Sequence, residues 1–453
     1  MFLEISPLDG RYRDRLEGLP EYFSEFALMR ERCAVEIAYL EALEDVDLFP
    51  PFTQQERARI DTAKGRFTED DFARIKQIER ETHHDVKSCE LFLRETLDLA
   101  NPNRIHFGLT SEDVTNLAYG RILDRYRREQ QLPQLMRLIE TMAELVDWWK
   151  AVPFPARTHG QSASPTTLGK EFAVFLSRLL RQTKQLQDLR FRGKLNGATG
   201  NYSALVVAFP AFDWQGFSSV FVKRLGLEPN PCTTQIEGHD GLAEYFGIVS
   251  RIHNILLGLD LDLWEYVSRG DLVERPVHAE VGSSTMPHKV NPIRFENSEG
   301  NLTISNALLH VLSEKLTRSR MQRDLSGTTV ERNIGVALAH SYLAVGQTLD
   351  GLSRLDVDPA GLREKVDRTP EVLAEAYQTI LRTEEIEDPY ELLRGATRGA
   401  AVTLAALYRW IDELPVSDDV KARMKALRPS DYIGLATEIC EAVVSEAKEM
   451  LNQ

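Results

Sequence analysis

The stretch LAEYFGIVSRIHNILLGLDLDL, residues 242–263, carries apolar side chains in alternating steps of three and four. These side chains are Leu242, Tyr245, Val249, Ile252, Leu256, Leu259 and Leu263. Such steps place these seven side chains on one face of an α-helix. Proline is absent between Pro231 and Pro276, so the helix can reach about 20–30 residues, well above the usual length of about 11–12. The stretch therefore predicts a long helix with a continuous buried face.

A second stretch has the same spacing and extends the helical prediction to the next part of the chain. Its apolar positions are Ile334, Leu338, Tyr342, Val345, Leu349 and Leu352. Proline is absent between Pro292 and Pro359. Helices of this length are typical of a bundle, or of helices that pack against partner subunits.

Strand signals are few. SALVVAF at 203–209, between the glycine-rich NGATGN and Pro210, predicts one small β-hairpin. NGATGN could hold an anion on its backbone amides, but a plain turn is the favoured interpretation. The sequence shows no βαβ alternation, no GxGxxG and no GxxxxGK[ST], which argues against a Rossmann or P-loop nucleotide site. The predicted fold class is all-α, with a small β-hairpin at most.

Composition and charge limit the classes of function. The chain has 453 residues, of which 43% are hydrophobic and 27% charged, which is typical of a globular protein with a large core. Its formal net charge of -15 argues against a nucleic-acid partner, because phosphate binding needs a basic surface. An anionic small molecule remains possible where Arg and Lys are concentrated locally.

Cysteine usage and hydropathy predict a soluble, intracellular protein. Cys33, Cys89, Cys232 and Cys440 are widely scattered and form no CxxC pair, which favours reduced thiols over disulfides or a zinc site. The N-terminus has an early acidic residue and no apolar segment of the signal-peptide kind. The longest near-continuous apolar run, 205–212, is too short to cross a bilayer.

Three mostly helical segments are predicted along the chain. Residues 1–109 are rich in charge and are interrupted by prolines, and residues 110–352 contain the long periodic stretches. Residues 353–453 have shorter patterns with frequent turn residues. We therefore expect an N-terminal helical domain, a central long-helix bundle and a C-terminal helical domain.

Five polar stretches depart from the pattern of a helix face. They are THHDV (82–86), LTSEDVTNL (109–117), ARTHGQSASPTT (156–167), VGSSTMPHKVNP (281–292) and RDLSGTTVER (323–332). Ordinary readings exist for most of them: a helix start at His84–Asp85, and a capped helix at Thr110 or Ser111. His159 lies on no apolar face, before a helix expected near Pro165, which makes function and structure equally good interpretations. The Ser-Gly-Thr-Thr turn between Arg323 and Arg332 suits a phosphate or carboxylate, with a capped helix as the competing account.

The stretch 281–292 has the chemistry of an anion-binding loop. Lys289 supplies a positive charge, Asn291 supplies donors, and Gly282 supplies backbone freedom. Ser283 or Ser284 could act as nucleophile, base or donor, although serine needs nearby amides and a cation to act as a base. No GxSxG elbow is present, so a hydrolase triad is a weak interpretation. The residues alone predict a mobile, anion-binding loop.

GSSTMPHKVNP at 282–292 closely resembles the signature of the fumarase/aspartase superfamily, GSSxMPxKxNP. Further motifs resemble the adenylosuccinate lyase family within it, in particular its longer bacterial form: SPLDGRY, THHDV, LTSEDV, RTHGQSASPTT and QRDLSGTTVERN. The resemblance extends from Ser6 to about Tyr432. It implies an all-α fold whose long helices form a twenty-helix core in a homotetramer, with each active site built from three subunits. It also implies a cytoplasmic enzyme with a small-molecule substrate and no metal or cofactor.

The implied reaction is elimination of fumarate from adenylosuccinate, giving AMP, and from the succinyl-aminoimidazole carboxamide ribotide. By the resemblance, Ser283 matches the general base and His159 the general acid. Further positions match substrate contacts: Arg11, Tyr12, His84, Asp85, Thr110, Ser111, Gln235, Ser284, Lys289, Asn291, Asn297, Arg323, Thr328 and Arg332. Of these, Lys289 and Asn291 match the residues that hold the succinyl carboxylates. His83 departs from the family pattern, and its role is left open.

Two other interpretations are weighed against this one. A different lyase of the superfamily, such as one that acts on argininosuccinate, would share the signature at 282–292. A catalytically silent helical scaffold is a different class, since the superfamily has been recruited as a structural protein of the lens. The presence of His159, Ser283 and Lys289 together argues against the scaffold.

Overall fold

The structure, a computed structural model, describes residues 3–275, 286, 289–384, 386–397 and 402–452. Over these residues it is built mainly from α-helices, and the all-α prediction is confirmed. In chain order the helices are α1 Pro20–Phe23, α2 Glu25–Asp45, α3 Gln54–Gly65, α4 Glu69–Thr82, α5 Asp85–Leu97, α6 Ser111–Tyr126, α7 Leu132–Trp149, α8 Leu168–Asp188, α9 Ser203–Ala208, α10 Trp214–Arg224, α11 Asp240–Ser268, α12 Ile293–Leu316, α13 Ser326–Glu331, α14 Ile334–Leu352, α15 Pro359–Asp367, α16 Ala374–Thr383, α17 Pro389–Thr397, α18 Leu404–Asp412, α19 Asp418–Ala426 and α20 Ala436–Leu451.

The long helix predicted from residues 242–263 is confirmed as α11, which has 29 residues. Its predicted apolar face is buried at Tyr245, Val249, Ile252 and Leu256. Helix α12 reaches 24 residues, and α14 corresponds to the second periodic stretch. Burial of a continuous apolar stripe, rather than intrinsic propensity, stabilises helices of this kind.

The predicted Ser-Gly-Thr-Thr turn is wrong. Residues 326–331 form the short helix α13, which Arg332 and Asn333 separate from α14. Asp324 precedes this helix and accepts hydrogen bonds from both the backbone and the hydroxyl of Ser326. A polar stretch rich in Ser, Thr and Gly favours turns by propensity, but here the hydrogen bonds between Asp324 and Ser326 precede a helix of six residues.

The strands are short and occur in four pairs. They are β1 Pro153–Phe154, β2 Arg157–Thr158, β3 Gln161–Ser162, β4 Thr166–Thr167, β5 Arg192–Gly193, β6 Glu228–Pro229, β7 Val273–Glu274 and β8 Leu355–Asp356. The pairs β1–β4, β2–β3 and β7–β8 are antiparallel, and β5–β6 is parallel. Each strand has two residues, so these pairs fix loops and do not form a separate sheet layer.

The hairpin predicted at 203–209 is wrong, because the segment forms helix α9. Its backbone closes local helical turns, with Val206 N–H donating to the Tyr202 carbonyl at 2.9 Å. Leu205 is buried against Gly108, where an added Cβ would overlap the leucine side chain. A short apolar run cannot be assigned to strand or helix by periodicity alone.

Contacts within the chain define two compact units, each assembled from separated segments. Unit 1 comprises Met1–Leu135, Gln182–Asn254 and Ser298–Gly346. Its N-terminal core joins α2 to α5 through buried side chains such as Met29, Ile37, Ile75 and Phe92. The predicted division into 1–109, 110–352 and 353–453 follows the order of the chain and stays a prediction.

Unit 2 comprises Met136–Arg181, Ile255–Asn297 and Gln347–Gln453. A core in its C-terminal part joins α16 to α19 through buried side chains including Leu373, Tyr377, Leu407, Ile411 and Met424. Among the helices that the structure describes, none combines the length and the apolar character needed to cross a membrane.

Candidate functional site

The start of α5 presents His84 and Asp85, as the ordinary reading of THHDV predicted. His84 is the N-cap of the helix, and its Nδ1 accepts from the backbone N–H of Lys87 at 3.2 Å. The histidine side chain is half-exposed, whereas that of Asp85 is 19% exposed. The cap fixes the imidazole at the helix terminus while the second ring nitrogen, Nε2, faces away from the cap.

Asp85 is held by two arginines from distant parts of unit 1. Its Oδ2 lies 2.9 Å from Arg32 Nη1 and 3.1 Å from Arg332 Nη2. Burial acts to raise the pKa of Asp85, but the charges of Arg32 and then Arg332 outweigh it, so the pKa lies below its ordinary value. Asp85 is therefore ionised at neutral pH and orients both guanidinium groups.

The start of α6 lies beside the start of α5. Thr110 is the N-cap, as predicted, and its backbone N–H donates to Asp113 Oδ2 at 2.9 Å. Ser111 Oγ lies 3.5 Å from His84 Nε2. The starts of α5 and α6 thus present an imidazole and a hydroxyl on one surface, and both groups can hydrogen-bond to a polar ligand.

Arg323 joins this surface from the segment before α13. Its Nη2 lies 3.5 Å from Glu112 Oε2, and its Nη1 lies 3.4 Å from Gln235 Oε1. Gln235 is oriented by a hydrogen bond of 3.0 Å from its Nε2 to the Ala198 carbonyl. Because Glu112 follows Ser111 in α6, these contacts connect Arg323 and Gln235 to the α5–α6 surface.

The structure therefore links six of the predicted site residues in unit 1, which we call the linked set: His84, Asp85, Ser111, Gln235, Arg323 and Arg332. Thr110 adjoins the set as the cap of α6. Thr328 lies one turn before Arg332 in α13, and its carbonyl accepts from the Arg332 N–H at 3.4 Å. The pairs that join the set lie up to 247 residues apart in the chain.

Arg11 and Tyr12 are placed in the turn before Arg13. The Arg11 guanidinium carbon lies 5.9 Å from the Tyr12 ring centre, and the Tyr12 N–H donates to the Pro7 carbonyl. Among the described residues, Arg11 makes no ion pair with a carboxylate. The contacts given by unit 1 do not bring Arg11 into the linked set.

A buried ion pair lies at the start of α6, the helix that carries Ser111 of the linked set. This ion pair was not predicted from the sequence. Asp113 and Lys194 are both fully buried, with Lys194 Nζ 3.0 Å from Asp113 Oδ1. Asp113 also accepts from the backbone N–H groups of Asn196 and Gly197. NGATGN is thus a turn, as favoured, but its first amides hold a carboxylate of the protein itself.

The signals for these supporting residues differ. The spacing of Thr110 and Asp113 is that of a capping box, which could have indicated a structural role for Asp113. Lys194 and Arg32 carry no such signal, because a lone cation in a sequence is far more often exposed than buried. Their partners are 81 and 53 positions away in the chain.

In unit 2, His159 occupies the tip of the hairpin formed by β2 and β3. Its backbone is left-handed, with φ of 53°, and Gly160 follows with φ of 74°. The side chain is exposed, and the next helix, α8, begins at Leu168, three residues after the predicted start near Pro165. A tight turn of two left-handed residues presents the imidazole outward from the hairpin.

The predicted loop at 281–292 is only partly covered. Ser283 and Ser284 lie outside the described residues, so the structure gives neither their positions nor their contacts. Lys289 is exposed, and its backbone N–H donates to the Met286 carbonyl at 3.1 Å. Asn291 is half-buried just before α12, and Asn297 is half-buried within the first turns of that helix.

Comparison with known proteins gives matches over almost the whole chain. Residues 10–305 match the family described as Lyase, and residues 319–433 match that described as Adenylosuccinate lyase C-terminal. The adenylosuccinate lyase of Haemophilus influenzae is 46% identical over 445 residues, covering 96% of this chain and 98% of that protein. The adenylosuccinate lyase of Escherichia coli K12 is 44% identical over 440 residues, covering 95% and 96%.

Solved structures with low sequence identity share the fold. A fumarate lyase from Mesorhizobium sp. BNC1 has a TM-score of 0.78 at 18% identity and covers 95% of this chain and 97% of its own. A 3-carboxy-cis,cis-muconate lactonizing enzyme from Pseudomonas putida has a TM-score of 0.77 at 22% identity, with coverage of 96% and 98%. At these identities the likeness concerns the fold alone.

Proposed function

The chain belongs to the adenylosuccinate lyase family of the fumarase/aspartase superfamily, and we propose on that premise how its residues carry out the family's reaction. The enzyme is a C–N lyase that eliminates fumarate from adenylosuccinate, giving AMP. By the same chemistry it cleaves the succinyl-aminoimidazole carboxamide ribotide to the free carboxamide. The observation that carries this assignment is the 46% identity to a named adenylosuccinate lyase over nearly the full length of both chains.

The reaction requires a base, an acid and a site for developing negative charge. The base removes a proton from the carbon next to a carboxylate, and the resulting charge spreads into that carboxylate. The acid donates a proton to the departing nitrogen as the C–N bond breaks. In our proposal Ser283 is the base and His159 is the acid. The outward position of His159 at the tip of a tight hairpin supports a role in contact with substrate.

The charged and polar groups divide between the two ends of the substrate. Lys289 and Asn291 hold the succinyl carboxylates, while Ser284 and Asn297 add polar contacts. The linked set binds the nucleotide end, where Arg323 and Arg332 supply positive charge beside two helix N-termini. The contact of Arg332 with Asp85, at 3.1 Å, supports this role because it orients that guanidinium. Thr110, Thr328, Arg11 and Tyr12 complete the proposed nucleotide contacts.

We propose further that the enzyme is a homotetramer whose active sites combine residues from several subunits. Large apolar side chains are exposed on the long helices of the single chain, among them Leu261 and Trp264 on α11 and Ile304 and Val311 on α12. Exposed apolar stripes on helices support association with further copies of the chain. A cytoplasmic location is supported by the four cysteines, all of which are free thiols.

The activity is tested by incubating the protein with adenylosuccinate and measuring AMP and fumarate. We expect equal amounts of both products and a change in near-ultraviolet absorbance as the purine loses its substituent. The variant Ser283→Ala should lose several orders of magnitude in kcat and still bind substrate, because it removes the base and leaves the carboxylate contacts intact. Turnover of argininosuccinate in place of adenylosuccinate would contradict the assignment, and a near-normal kcat in Ser283→Ala would remove serine from the mechanism.

Sharing of sites between subunits has its own test. Ser283→Ala and His159→Ala are each expected to be inactive, but tetramers assembled from both chains should regain part of the activity. Recovery is expected because some sites then receive a native base from one subunit and a native acid from another. Subunit exchange is verified with two affinity tags, and an exchanged mixture without activity would contradict shared sites.

A further inference from the structure

Two buried carboxyl groups lie directly behind the linked set. Glu112 follows Ser111 in α6 and is 3% exposed, and Glu331 precedes Arg332 at the end of α13 and is 5% exposed. Buried acids are stable as anions only when cations and hydrogen-bond donors compensate them. The contacts around these two residues determine which of them can be ionised.

Most of the nearby cations are already bound to other carboxylates. Arg32 and Arg332 both contact Asp85, at 2.9 and 3.1 Å. Lys194 contacts Asp113 at 3.0 Å. Arg323 is thus left for Glu112 and Glu331, and its Nη2 lies 3.5 Å from Glu112 Oε2. That separation exceeds the roughly 2.7–2.9 Å of a charge-assisted hydrogen bond, so the ion pair is loose.

The remaining groups near Glu331 do not supply a charge. His239 Nε2 lies 3.8 Å from Glu331 Oε1, and burial lowers the pKa of this histidine, so its ring is neutral at pH 7. Burial raises the pKa of Tyr119, which keeps the phenol neutral as well. Burial, and then the charge of Glu112, raise the pKa of Glu331 well above its ordinary value. Burial therefore favours the protonated form of Glu331, against the opposing charges of Arg32, Arg323 and Arg332.

Glu112 differs because the buried cation of Lys194 acts on it, in addition to arginines that act on both acids. Burial raises its pKa to about 7, against the opposing charges of Arg323, Lys194 and Arg32 and with that of Asp113. The carboxyl group changes charge within the neutral range. When it is ionised, it compensates the charge of Arg323; when it is protonated, the guanidinium is available to another anion.

We propose that Glu112 is a positioning residue which competes with the anionic group of the substrate for Arg323, so that nucleotide binding is favoured when Glu112 is protonated. The inference rests on the proposed function in one respect, that Arg323 contacts the nucleotide. It assigns Glu112 an effect on affinity and none on the chemical step. Above the pKa of Glu112, a ligand that needs the protonated form binds more weakly by the fraction of protein in that form.

The test measures the Kd of AMP and the KM of adenylosuccinate from pH 6.5 to 8.5. In the unmodified enzyme both should rise about tenfold per pH unit above about 7. Glu112→Gln imitates the protonated acid, so this rise should disappear and the KM at pH 8 should be about tenfold below that of the unmodified enzyme. Ionisation of the ligand itself cancels when the two proteins are compared at the same pH.

Two further variants make the outcome decisive. Glu331→Gln replaces an acid whose protonated form burial already favours, and this variant should keep the pH profile of the unmodified enzyme. Loss of the profile in this variant would overturn the inference. Arg323→Met should bind AMP weakly and without the pH dependence, which tests the idea even if Glu112→Gln folds poorly.

A uniform rise in KM for Glu112→Gln at every pH would mean that Glu112 only orients Arg323, and the inference would be wrong. Unchanged AMP binding in Arg323→Met would instead refute the proposed nucleotide site.

Discussion

The variant His159→Ala is expected to lose between about a hundredfold and ten-thousandfold in kcat, the usual contribution of a positioned general acid. Without the imidazole, the nitrogen of the purine must leave as an anion or take its proton from water. The fold should not suffer, because the side chain is exposed at the tip of the β2–β3 hairpin. Steady-state kcat, its pH profile and the thermal midpoint are measured on the same preparation.

The matched control is another exposed histidine. His310 on α12 has a side chain that is 78% exposed, and His310→Ala should leave kcat unchanged. In His159→Ala the limb of the kcat profile that belongs to the acid should vanish, while the thermal midpoint stays as in the unmodified enzyme. A folded His159→Ala protein with normal kcat and an unchanged pH profile would exclude this residue as the acid.

The second large effect concerns stability. Lys194→Met should destabilise the protein by about 3–5 kcal/mol, because it leaves the carboxylate of Asp113 buried without its cation. Both side chains are fully buried in the folded chain. Asp113 would retain the backbone N–H groups of Asn196 and Gly197, which compensate only part of a full charge. The shift of the unfolding midpoint in denaturant measures the effect.

A surface pair provides the comparison. Lys184 and Asp188 form an exposed ion pair in α8, with contacts of 2.6 and 2.7 Å, and Lys184→Met should barely move the midpoint since such pairs contribute little. Adding Asp113→Asn to Lys194→Met removes the uncompensated charge and should restore part of the lost stability. If Lys194→Met were no more destabilising than Lys184→Met, the prediction that Lys194 compensates the buried charge of Asp113 would be wrong.

Local pattern was sufficient for the long helices and for the caps. The spacing from Leu242 to Leu263 predicted α11, and the Thr110 cap followed from residue type and position. The segment 203–209 could not be assigned from its own residues, because a short apolar run fits a strand and a helix equally well. In the structure it is a helix whose Leu205 packs on Gly108, from another part of the chain. Tertiary packing can override the local secondary-structure propensity of such a short run.

In the candidate site, too, some residues could be predicted from the sequence and others could not. Motif resemblance pointed to His84, Asp85, Ser111 and Arg323, which carry recognisable neighbours in the sequence. The burial of Glu112 could not be predicted from the sequence, since an acidic residue in the first turn of a helix ordinarily faces solvent. Its burial, and the loose contact with Arg323, arise only from folding of distant segments.

Unit 1 is assembled from three separated segments of the chain, so its contacts form at different times during synthesis on the ribosome. Arg32 can meet Asp85 after 53 residues of separation, but Arg332 follows Asp85 by 247 residues. At synthesis rates of roughly 5–20 residues per second, the second partner emerges roughly 12–50 s later. An unfinished chain can therefore fold much of its N-terminal core while the linked set still lacks Arg323 and Arg332. If the linked set binds the nucleotide as proposed, AMP can bind only after translation has passed α13.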